Sequence, residues 1–164
     1  MSISDSNADT SVPDNESAPL DVTGVQQGLG TSRFGYPLHY FHEIASTNSH
    51  IRELAEGGAT EGTVVVAESQ SQGRGRLGRR WESPAFKNLY LSILLRPRLS
   101  PAHAAQITLM AAVALADAVD TYIPGQAAIK WPNDILIGKK KLAGILTEAS
   151  CDAERVDYVI LGIG

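Results

Sequence analysis

The sequence predicts an α+β fold in which a mixed, mainly antiparallel sheet packs against helices. A single long apolar stripe occupies residues 101–122, and four short apolar or β-branched runs follow it at close spacing. Between two of these runs, Gly138-Lys139-Lys140 has the composition of a hairpin turn. Closely spaced strands beside one long helix are typical of such a layered sheet, and not of a regular βαβ repeat.

The first half of the predicted fold consists of three strands and a short helix. Residues 38–44 (LHYFHEI), 63–68 (TVVVAE) and 89–96 (LYLSILLR) have the apolar and β-branched composition of strands. Ser46-Thr47-Asn48 supplies an N-cap and Gly57-Gly58 a stop signal, which together predict a short helix after the first strand.

The second half contains the long helix and the remaining strands. Ser100-Pro101 is a good helix start, and Pro124-Gly125 ends the helix. The side chains expected to face the sheet recur at helical spacing: Ile107, Met110, Leu115, Val119 and Tyr122, with Ala111, Ala114 and Ala118. The strands predicted after the helix are residues 128–131, 135–137, 142–148 and 156–163.

Composition is that of an ordinary globular domain. The chain has 164 residues, of which 43% are hydrophobic and 20% are charged. The longest apolar run, residues 109–116, is far shorter than the ~18 residues of a membrane helix, and the start of the chain lacks the pattern of a secretory signal. The one cysteine, Cys151, can form neither an internal disulfide nor a cysteine-based zinc site. We therefore expect a cytoplasmic protein that is not associated with a membrane.

The charge divides the chain into a leader and a folded part. The net charge is −4, but residues 1–30 carry five acids and no base, so the remainder sums to +1. Residues 1 to about 33 are rich in Ser, Asp, Asn, Gly and Pro and show no apolar periodicity. Such a segment cannot bury enough surface to offset its ordering entropy. We expect a disordered leader over 1–33 and one folded domain over 34–164.

An arginine- and glycine-rich loop follows the second predicted strand. Residues 73–81 read GRGRLGRRW, with four arginines within seven residues and no acid among them. The glycines formally match G-x-G-x-x-G, but a dinucleotide site needs an amphipathic helix next, and Pro84 blocks one. Guanidinium groups match carboxylate and phosphate oxygens, and Trp81 offers a flat face for a nucleobase. The loop therefore indicates either a small-anion site or a solvated basic loop that binds RNA non-specifically.

A second dense cluster lies at residues 129–135, IKWPNDI. A strand delivers Lys130 and ends at Pro132, which leaves Asn133 and Asp134 at the bend before the next strand. Lysine suits a reacting phosphoryl or acyl oxygen, and the carboxylate could hold a magnesium ion that arrives with a nucleotide. Alternatively, the cluster is a hairpin corner in which Asn133 and Asp134 only cap the turn.

Four motifs together resemble the catalytic domain of biotin–protein ligases. They are Gln70 with GRGRLGRRW at 73–81, KWPNDI at 130–135, KLAGIL at 141–146 and GIG at 162–164, in the family's order. The resemblance covers roughly residues 38–164. It implies a fold like that of class II aminoacyl-tRNA synthetases. It also implies a biotin–[acetyl-CoA-carboxylase] ligase activity, in which biotin and ATP form biotinyl-5′-AMP and a lysine of a biotin carboxyl carrier protein then receives the biotin.

The resemblance also implies roles for individual residues. The catalytic residues would be Lys130 and Arg76. The biotin-binding residues would be Ser46, Thr47, Asn48, Gln70, Gly73, Arg74, Arg76, Lys130 and Gly144. The nucleotide-binding residues would be Arg76, Arg79, Trp81, Asn133, Asp134 and Lys141. No protein-held metal is implied, and Mg²⁺ would enter with ATP.

Other expectations concern the extent of the chain and its partners. In the family the last strand continues into further core, so we expect a catalytic domain that is incomplete at its C-terminus. The winged helix of regulatory members is not recognisable, so no DNA partner is expected, and the family resemblance is compatible with a homodimer. Two other interpretations are a lipoate or octanoate ligase, whose Arg-Arg-x-Ser-Gly-Gly-Gly loop is not found, and an inactive fragment that binds a ligand or RNA.

Overall fold

The computed structural model describes residues 18–164, and its main element is a seven-stranded mixed sheet. The strands are β1 (Leu38–Ile44), β2 (Val64–Gln70), β3 (Tyr90–Leu95), β4 (Ala127–Lys130), β5 (Asp134–Ile137), β6 (Lys140–Cys151) and β7 (Val156–Ile163). The helices are α1 (Val22–Gly28), α2 (Thr47–Glu56) and α3 (Gln106–Asp120), with short 3₁₀ turns at Arg76–Gly78 and Pro101–His103.

The strand order of the sheet is β1-β2-β3-β7-β6-β5-β4. Strands β1 and β2 are parallel, and the other neighbouring pairs are antiparallel. The parallel pair is connected through α2, because parallel strands need a crossover, whereas β5 and β6 are joined by a tight hairpin. Gly138 lies in that hairpin turn with φ +58°, which glycine adopts at little cost. The prediction of a mixed, mainly antiparallel sheet packed on helices is confirmed.

Helix α2 begins and ends where the sequence predicts. The Ser46 side chain accepts a hydrogen bond from the Ser49 N–H, and Gly57 is the C-cap. The apolar face of α2 contributes Ile51 and Ala55, both buried, and the helix packs on β2, β3 and β7. Ile51 is fully buried, so its truncation to alanine is expected to lower the free energy of unfolding by about 2–5 kcal/mol. The packing fixes the N-terminus of α2 over the centre of the sheet.

Helix α3 differs from its prediction in its start and in its buried face. The segment Pro101–His103 is a 3₁₀ turn, and α3 itself begins at Gln106. Its buried residues are Ile107, Ala112 and Ala116, whereas Met110 is 68% and Tyr122 87% exposed. The expectation that these two large residues face the sheet was wrong. Small alanine side chains allow close approach to β4, β5 and β6, and thereby turn the larger residues outward.

The segment Pro101–Asp120 is long and apolar enough to cross a membrane by length and composition. This differs from the expectation based on the longest uninterrupted apolar run. One such helix is weak evidence for a membrane span, since the core helix of a folded domain passes the same test. Part of this segment packs on the sheet, through Ala112 and Ala116 in the cluster that includes Ile135 and Ile145.

The disordered leader expected over residues 1–33 lies partly outside the described part of the chain, and its residues 18–33 include a short helix in the structure. Residues Val22–Gly28 form α1, which Asp21 caps through a hydrogen bond from the Gly24 N–H. The Leu20 N–H donates to Glu68 Oε1 at 2.7 Å, and the Tyr36 hydroxyl donates to the Gln26 carbonyl at 3.1 Å. These contacts use backbone groups and not an apolar stripe, which explains why hydrophobic periodicity did not reveal them.

Candidate functional site

A cavity of about 400 Å³ opens where the N-terminus of α2, the end of β2 and the start of β6 meet. The arginine-glycine loop, residues 73–81, forms one wall. The lining residues are Ser46, Thr47, Asn48, Gln70, Arg74, Gly75, Arg76, Leu77, Arg79, Arg80, Trp81, Asn133, Asp134, Lys141, Gly144, Ile145, Leu146, Gly162, Ile163 and Gly164. Residues from all four sequence motifs therefore converge on one space.

Twelve of the fourteen predicted site residues line this cavity. They are Ser46, Thr47, Asn48, Gln70, Arg74, Arg76, Arg79, Trp81, Asn133, Asp134, Lys141 and Gly144. Gly73 and Lys130 are not among the lining residues. The alternative that Asn133 and Asp134 only cap a turn is not favoured, because both face the cavity.

The arginine-glycine loop is folded back on itself. The Trp81 N–H donates to the Gly73 carbonyl at 2.9 Å, and the Gly75 N–H donates to the Arg79 carbonyl at 2.7 Å. At its tip, Leu77 adopts φ +58° and is 88% exposed. A leucine in the left-handed region is uncommon and locally strained. The loop is therefore a single structured unit whose tip carries Leu77 to the cavity mouth.

Gly73 has a different position from the one that the resemblance implies. It is buried at the base of the loop, where a Cβ atom would lie 2.4 Å from the Trp81 carbonyl oxygen and 2.8 Å from Ser83 Oγ. Glycine is needed there because two backbone segments approach closely. The structure places Gly73 in loop closure and not in the cavity wall.

A network of neutral hydrogen-bonding groups forms the inner wall. The Thr47 N–H and Oγ1 both lie within hydrogen-bond distance of Gln70 Oε1, at 2.9 and 3.1 Å, and Gln70 Nε2 donates to Ser83 Oγ at 3.0 Å. Ser92 Oγ lies 2.8 Å from Thr47 Oγ1 and 2.6 Å from Asn48 Oδ1. These hydrogen bonds hold the side chains of the wall in fixed orientations. A polar but uncharged ligand group needs donors and acceptors that are fixed in this way.

Trp81 lies across two glycines near the strand ends. A Cβ atom on Gly144 would lie 2.8 Å from Trp81 Cη2, and one on Gly164 would lie 2.5 Å from Trp81 Nε1. Lys141 Nζ lies 4.7 Å from the centre of the Trp81 ring and is held by Asp134 Oδ1 at 2.8 Å. The small residue at 144 thus permits the close approach of the indole to β6, and a cation lies near its ring.

The cations of the cavity are only partly neutralised. Arg74 pairs with Glu148 and Lys141 with Asp134, whereas Arg76 donates to the neutral Asn133 Oδ1 at 2.8 Å. Within residues 18–164, neither Arg76 nor Arg79 forms an ion pair. The cavity therefore has an excess of positive charge that an anionic ligand could neutralise.

Lys130 lies at the end of β4, where its side chain is exposed, and it pairs in register with Asp134. Asp134, its neighbour in the sheet, lines the cavity, whereas Lys130 does not. The expectation that Lys130 lies at the reacting centre differs from its position outside the cavity lining, since β4 is an edge strand and Lys130 is at its exposed end.

Sequence reasoning missed several residues that support the site. Ser83 and Ser92 complete the neutral network, Glu148 pairs with Arg74, and Arg52 pairs in turn with Glu148. They lie outside the motifs, and the strand pairing that joins them cannot be deduced from local spacing. Gly162 had a signal in the sequence, because it belongs to the GIG motif. The structure shows that a Cβ atom at this position would clash with Asn48 Oδ1.

The described residues contain no group of three or more His, Cys, Asp or Glu side chains that could hold a metal ion. One cavity carboxylate, Asp134, is available, and it already pairs with Lys141.

The chain is similar to known protein ligases, in agreement with the resemblance of its four motifs to that group. Residues 40–164 match the profile of the biotin/lipoate A/B protein ligase family. The chain is 43% identical over 145 residues to a Bacillus subtilis protein named bifunctional ligase/repressor BirA, covering 88% of this chain and 45% of that protein. It is also 43% identical over 121 residues to the biotin–[acetyl-CoA-carboxylase] ligase of Paracoccus denitrificans, covering 73% of this chain and 50% of that one. The chain spans about half the length of these relatives.

Solved structures show the same fold. The biotin protein ligase of Leishmania major, in complex with biotin, superposes with a TM-score of 0.65 at 32% identity, over 77% of this chain and 55% of that chain. The Aquifex aeolicus biotin protein ligase, in complex with biotin and ATP, gives a TM-score of 0.61 at 34% identity over 77% and 50% of the two chains. The class II synthetase-like fold implied by the resemblance is therefore confirmed. Because the profile match spans most of the sequence, this chain belongs to the biotin/lipoate A/B protein ligase family.

Proposed function

We propose that this chain carries the biotin-activating site of a biotin–protein ligase. In the reaction, a carboxylate oxygen of biotin attacks the α-phosphorus of ATP, the bond to the β-phosphate breaks, and biotinyl-5′-AMP and pyrophosphate form. The amine of a carrier lysine then attacks the biotinyl carbonyl, loses a proton and releases AMP. The single observation that carries the proposal is one cavity lined by Arg76 and Arg79, which have no acidic partners among the described residues, together with a neutral polar wall and an indole.

Electrostatics explains why the first step needs those arginines. Two unit negative charges 4 Å apart repel by about 4 kcal/mol at an effective dielectric constant of 20. The biotin carboxylate and the α-phosphate must approach more closely than that. Arg74, Arg76 and Arg79 lie on the same loop and line the cavity, so they are suited to offset this repulsion.

The neutral wall is suited to the head of biotin. The ureido group is uncharged and needs fixed donors and acceptors, which Thr47, Asn48 and Gln70 supply in a buried setting. Ser46 caps α2 and lines the cavity as well, so the two roles are compatible. In this proposal Gly144 contributes by leaving room for the indole of Trp81.

A further group of lining residues is suited to the nucleotide. Trp81 offers its ring to adenine, and Lys141, Asn133 and Asp134 lie beside it. Mg²⁺ would arrive as part of the MgATP substrate, with Asp134 as its one protein contact in the cavity. Lys130, exposed next to Asp134 in the sheet, would bridge the biotinyl carbonyl and the α-phosphate once both ligands are bound.

Partners and location follow from the same activity. The macromolecular substrate would be a biotin carboxyl carrier domain, and the compartment would be the cytoplasm, where free Cys151 stays reduced. A homodimer and the lack of a DNA partner remain predictions. Some relatives are named ligase/repressor and others ligase alone.

Biotin-dependent exchange of labelled pyrophosphate into ATP tests the proposal. We expect exchange with biotin and none above background with octanoate or lipoate in its place. Exchange that is supported by octanoate or lipoate and not by biotin would favour the lipoate ligase alternative. Absence of exchange with every acid, together with salt-sensitive RNA binding, would contradict the proposed activity and favour a basic binding module.

A further inference from the structure

Three side chains converge on the carboxylate of Glu148, which is a residue of β6 outside the cavity lining. Arg52 Nη2 donates to Oε1 at 2.7 Å, while Arg74 Nη2 and Asn48 Nδ2 donate to Oε2 at 3.0 and 2.8 Å. The two oxygens are thus divided between a guanidinium from α2 and one from the loop. Glu148 thus attaches the loop, through Arg74, to the body of the domain.

One carboxylate facing two guanidinium groups leaves one positive charge in excess. Arg74 faces the cavity and its side chain is 40% exposed, whereas Arg52 does not line the cavity. If Arg74 moved to another carboxylate, Glu148 would keep its bonds to Arg52 and Asn48. Without Arg52, the same movement would leave a partly buried carboxylate with only a neutral amide, which is unfavourable.

We propose that Arg52 and Glu148 are positioning residues for the biotin carboxylate, an inference that rests on the proposed function. Glu148 holds Arg74 at the edge of the cavity. On binding, Arg74 exchanges the Glu148 carboxylate for that of biotin, and Arg52 retains Glu148. Arg52 thereby makes Arg74 available to the ligand without contacting the ligand itself.

Binding of biotin and of biotinamide, which has a carboxamide in place of the carboxylate, tests this exchange by calorimetry. The R52M substitution is expected to weaken biotin binding about tenfold, the scale of a lost charge-assisted hydrogen bond, and biotinamide binding less than about twofold. The double substitution R52M/E148Q removes the competing carboxylate and is expected to bring biotin affinity back to within about threefold of the unsubstituted chain.

A matched control is R33M, since Arg33 pairs with Glu61 at the same 2.7 Å distance but lies outside the cavity lining. It makes the same charge change and should alter neither affinity. R52K keeps the charge and should bind biotin within about threefold of the unsubstituted chain, as a single hydrogen bond to Oε1 is replaceable.

Two results would overturn the inference while leaving the proposed function intact. One is an equal loss of biotin and biotinamide binding in R52M, which would mean that Arg52 only supports the fold. The other is an R52M/E148Q variant that binds biotin as weakly as R52M. If the unsubstituted chain bound biotinamide but not biotin, or neither compound, the proposed function itself would be contradicted.

Discussion

Arg76 and Asn133 are 57 residues apart in sequence, and a hydrogen bond of 2.8 Å joins the guanidinium to Oδ1. Asn133 is itself fixed, since its Nδ2 donates to the Ile145 carbonyl at 3.1 Å and its own carbonyl accepts from the Ile145 N–H at 2.8 Å. The bend after β4 thereby anchors the arginine-glycine loop to β6. This contact makes the two sequence motifs parts of one site.

The role proposed for Lys130 predicts a selective loss of chemistry. K130A should abolish biotin-dependent pyrophosphate exchange, because the cation proposed to bridge the biotinyl carbonyl and the α-phosphate would be lost, while biotin affinity changes less than about threefold. Exchange rate and calorimetric affinity are measured on the same preparation. K139A, an exposed lysine in the β5–β6 turn, serves as the control. If K130A catalysed exchange at the rate of the unsubstituted chain, the role proposed for Lys130 at the reacting centre would be contradicted.

The arginine-glycine loop is folded and anchored at Arg74 and Arg76, and we expect it to open transiently and to be held closed more firmly by biotinyl-adenylate. Its four arginines are exposed trypsin sites, and neutralisation of their charges by ligand carboxylate and phosphate should close the loop. Cleavage at Arg74, Arg76, Arg79 and Arg80 should slow at least about fivefold when biotin and MgATP are present. Arg155, exposed in the β6–β7 turn, provides an internal reference whose cleavage should not change. Equal cleavage of the loop with and without ligands would show that the loop does not respond to them.

The Tyr40–Glu68 contact predicts that the free energy of unfolding decreases at alkaline pH. Partial burial, followed by the hydrogen bond to Glu68 at 2.8 Å and the charge of that carboxylate, raises the pKa of Tyr40 to about 12. Because the folded pKa exceeds the ordinary value of 10.0, the stabilisation is complete below about pH 10 and is lost as the pH rises toward about 12.

Urea denaturation checks this expectation. The free energy of unfolding of Y40F should fall less between about pH 9 and about pH 12 than that of the unsubstituted chain. Y122F removes the hydroxyl of a tyrosine that is 87% exposed and should follow the unsubstituted chain. Parallel pH curves for Y40F and the unsubstituted chain would contradict the raised pKa.

Local chemistry made most of the elements predictable from sequence. The N-cap Ser46 and the stop at Gly57 predicted α2, and the β-branched residues 63–68 predicted β2 to within two residues. The face of α3 was not predictable, because periodicity marks which residues are apolar but not which of them a neighbouring sheet accepts. Ala112 and Ala116 pack against the sheet because of their small size, and this leaves Met110 exposed.

Some residues of the candidate site could be predicted from short motifs, whereas others are brought together only by the fold. Motif composition identified the cavity-lining arginines, Trp81 and Asn133, since their chemistry is legible in a short window. Arg52 and Glu148 are 96 residues apart and carry no motif, so only the pairing of β6 with β7 and the packing of α2 bring them together. Gly73 was assigned to the ligand by resemblance, although its close approach to the Trp81 backbone is a requirement of loop closure.

The claim that the two motifs form one site is tested most directly by a double-mutant cycle on Arg76 and Asn133. The measured quantity is the affinity for biotinyl-sulfamoyl-adenosine, a stable analogue of the adenylate, in R76M, N133A and the double variant. We expect each single substitution to weaken binding at least about tenfold, and the double variant to bind within about twofold of R76M, since coupled residues are not additive. Two single losses that multiply in the double variant, or single variants with unchanged affinity, would contradict the account.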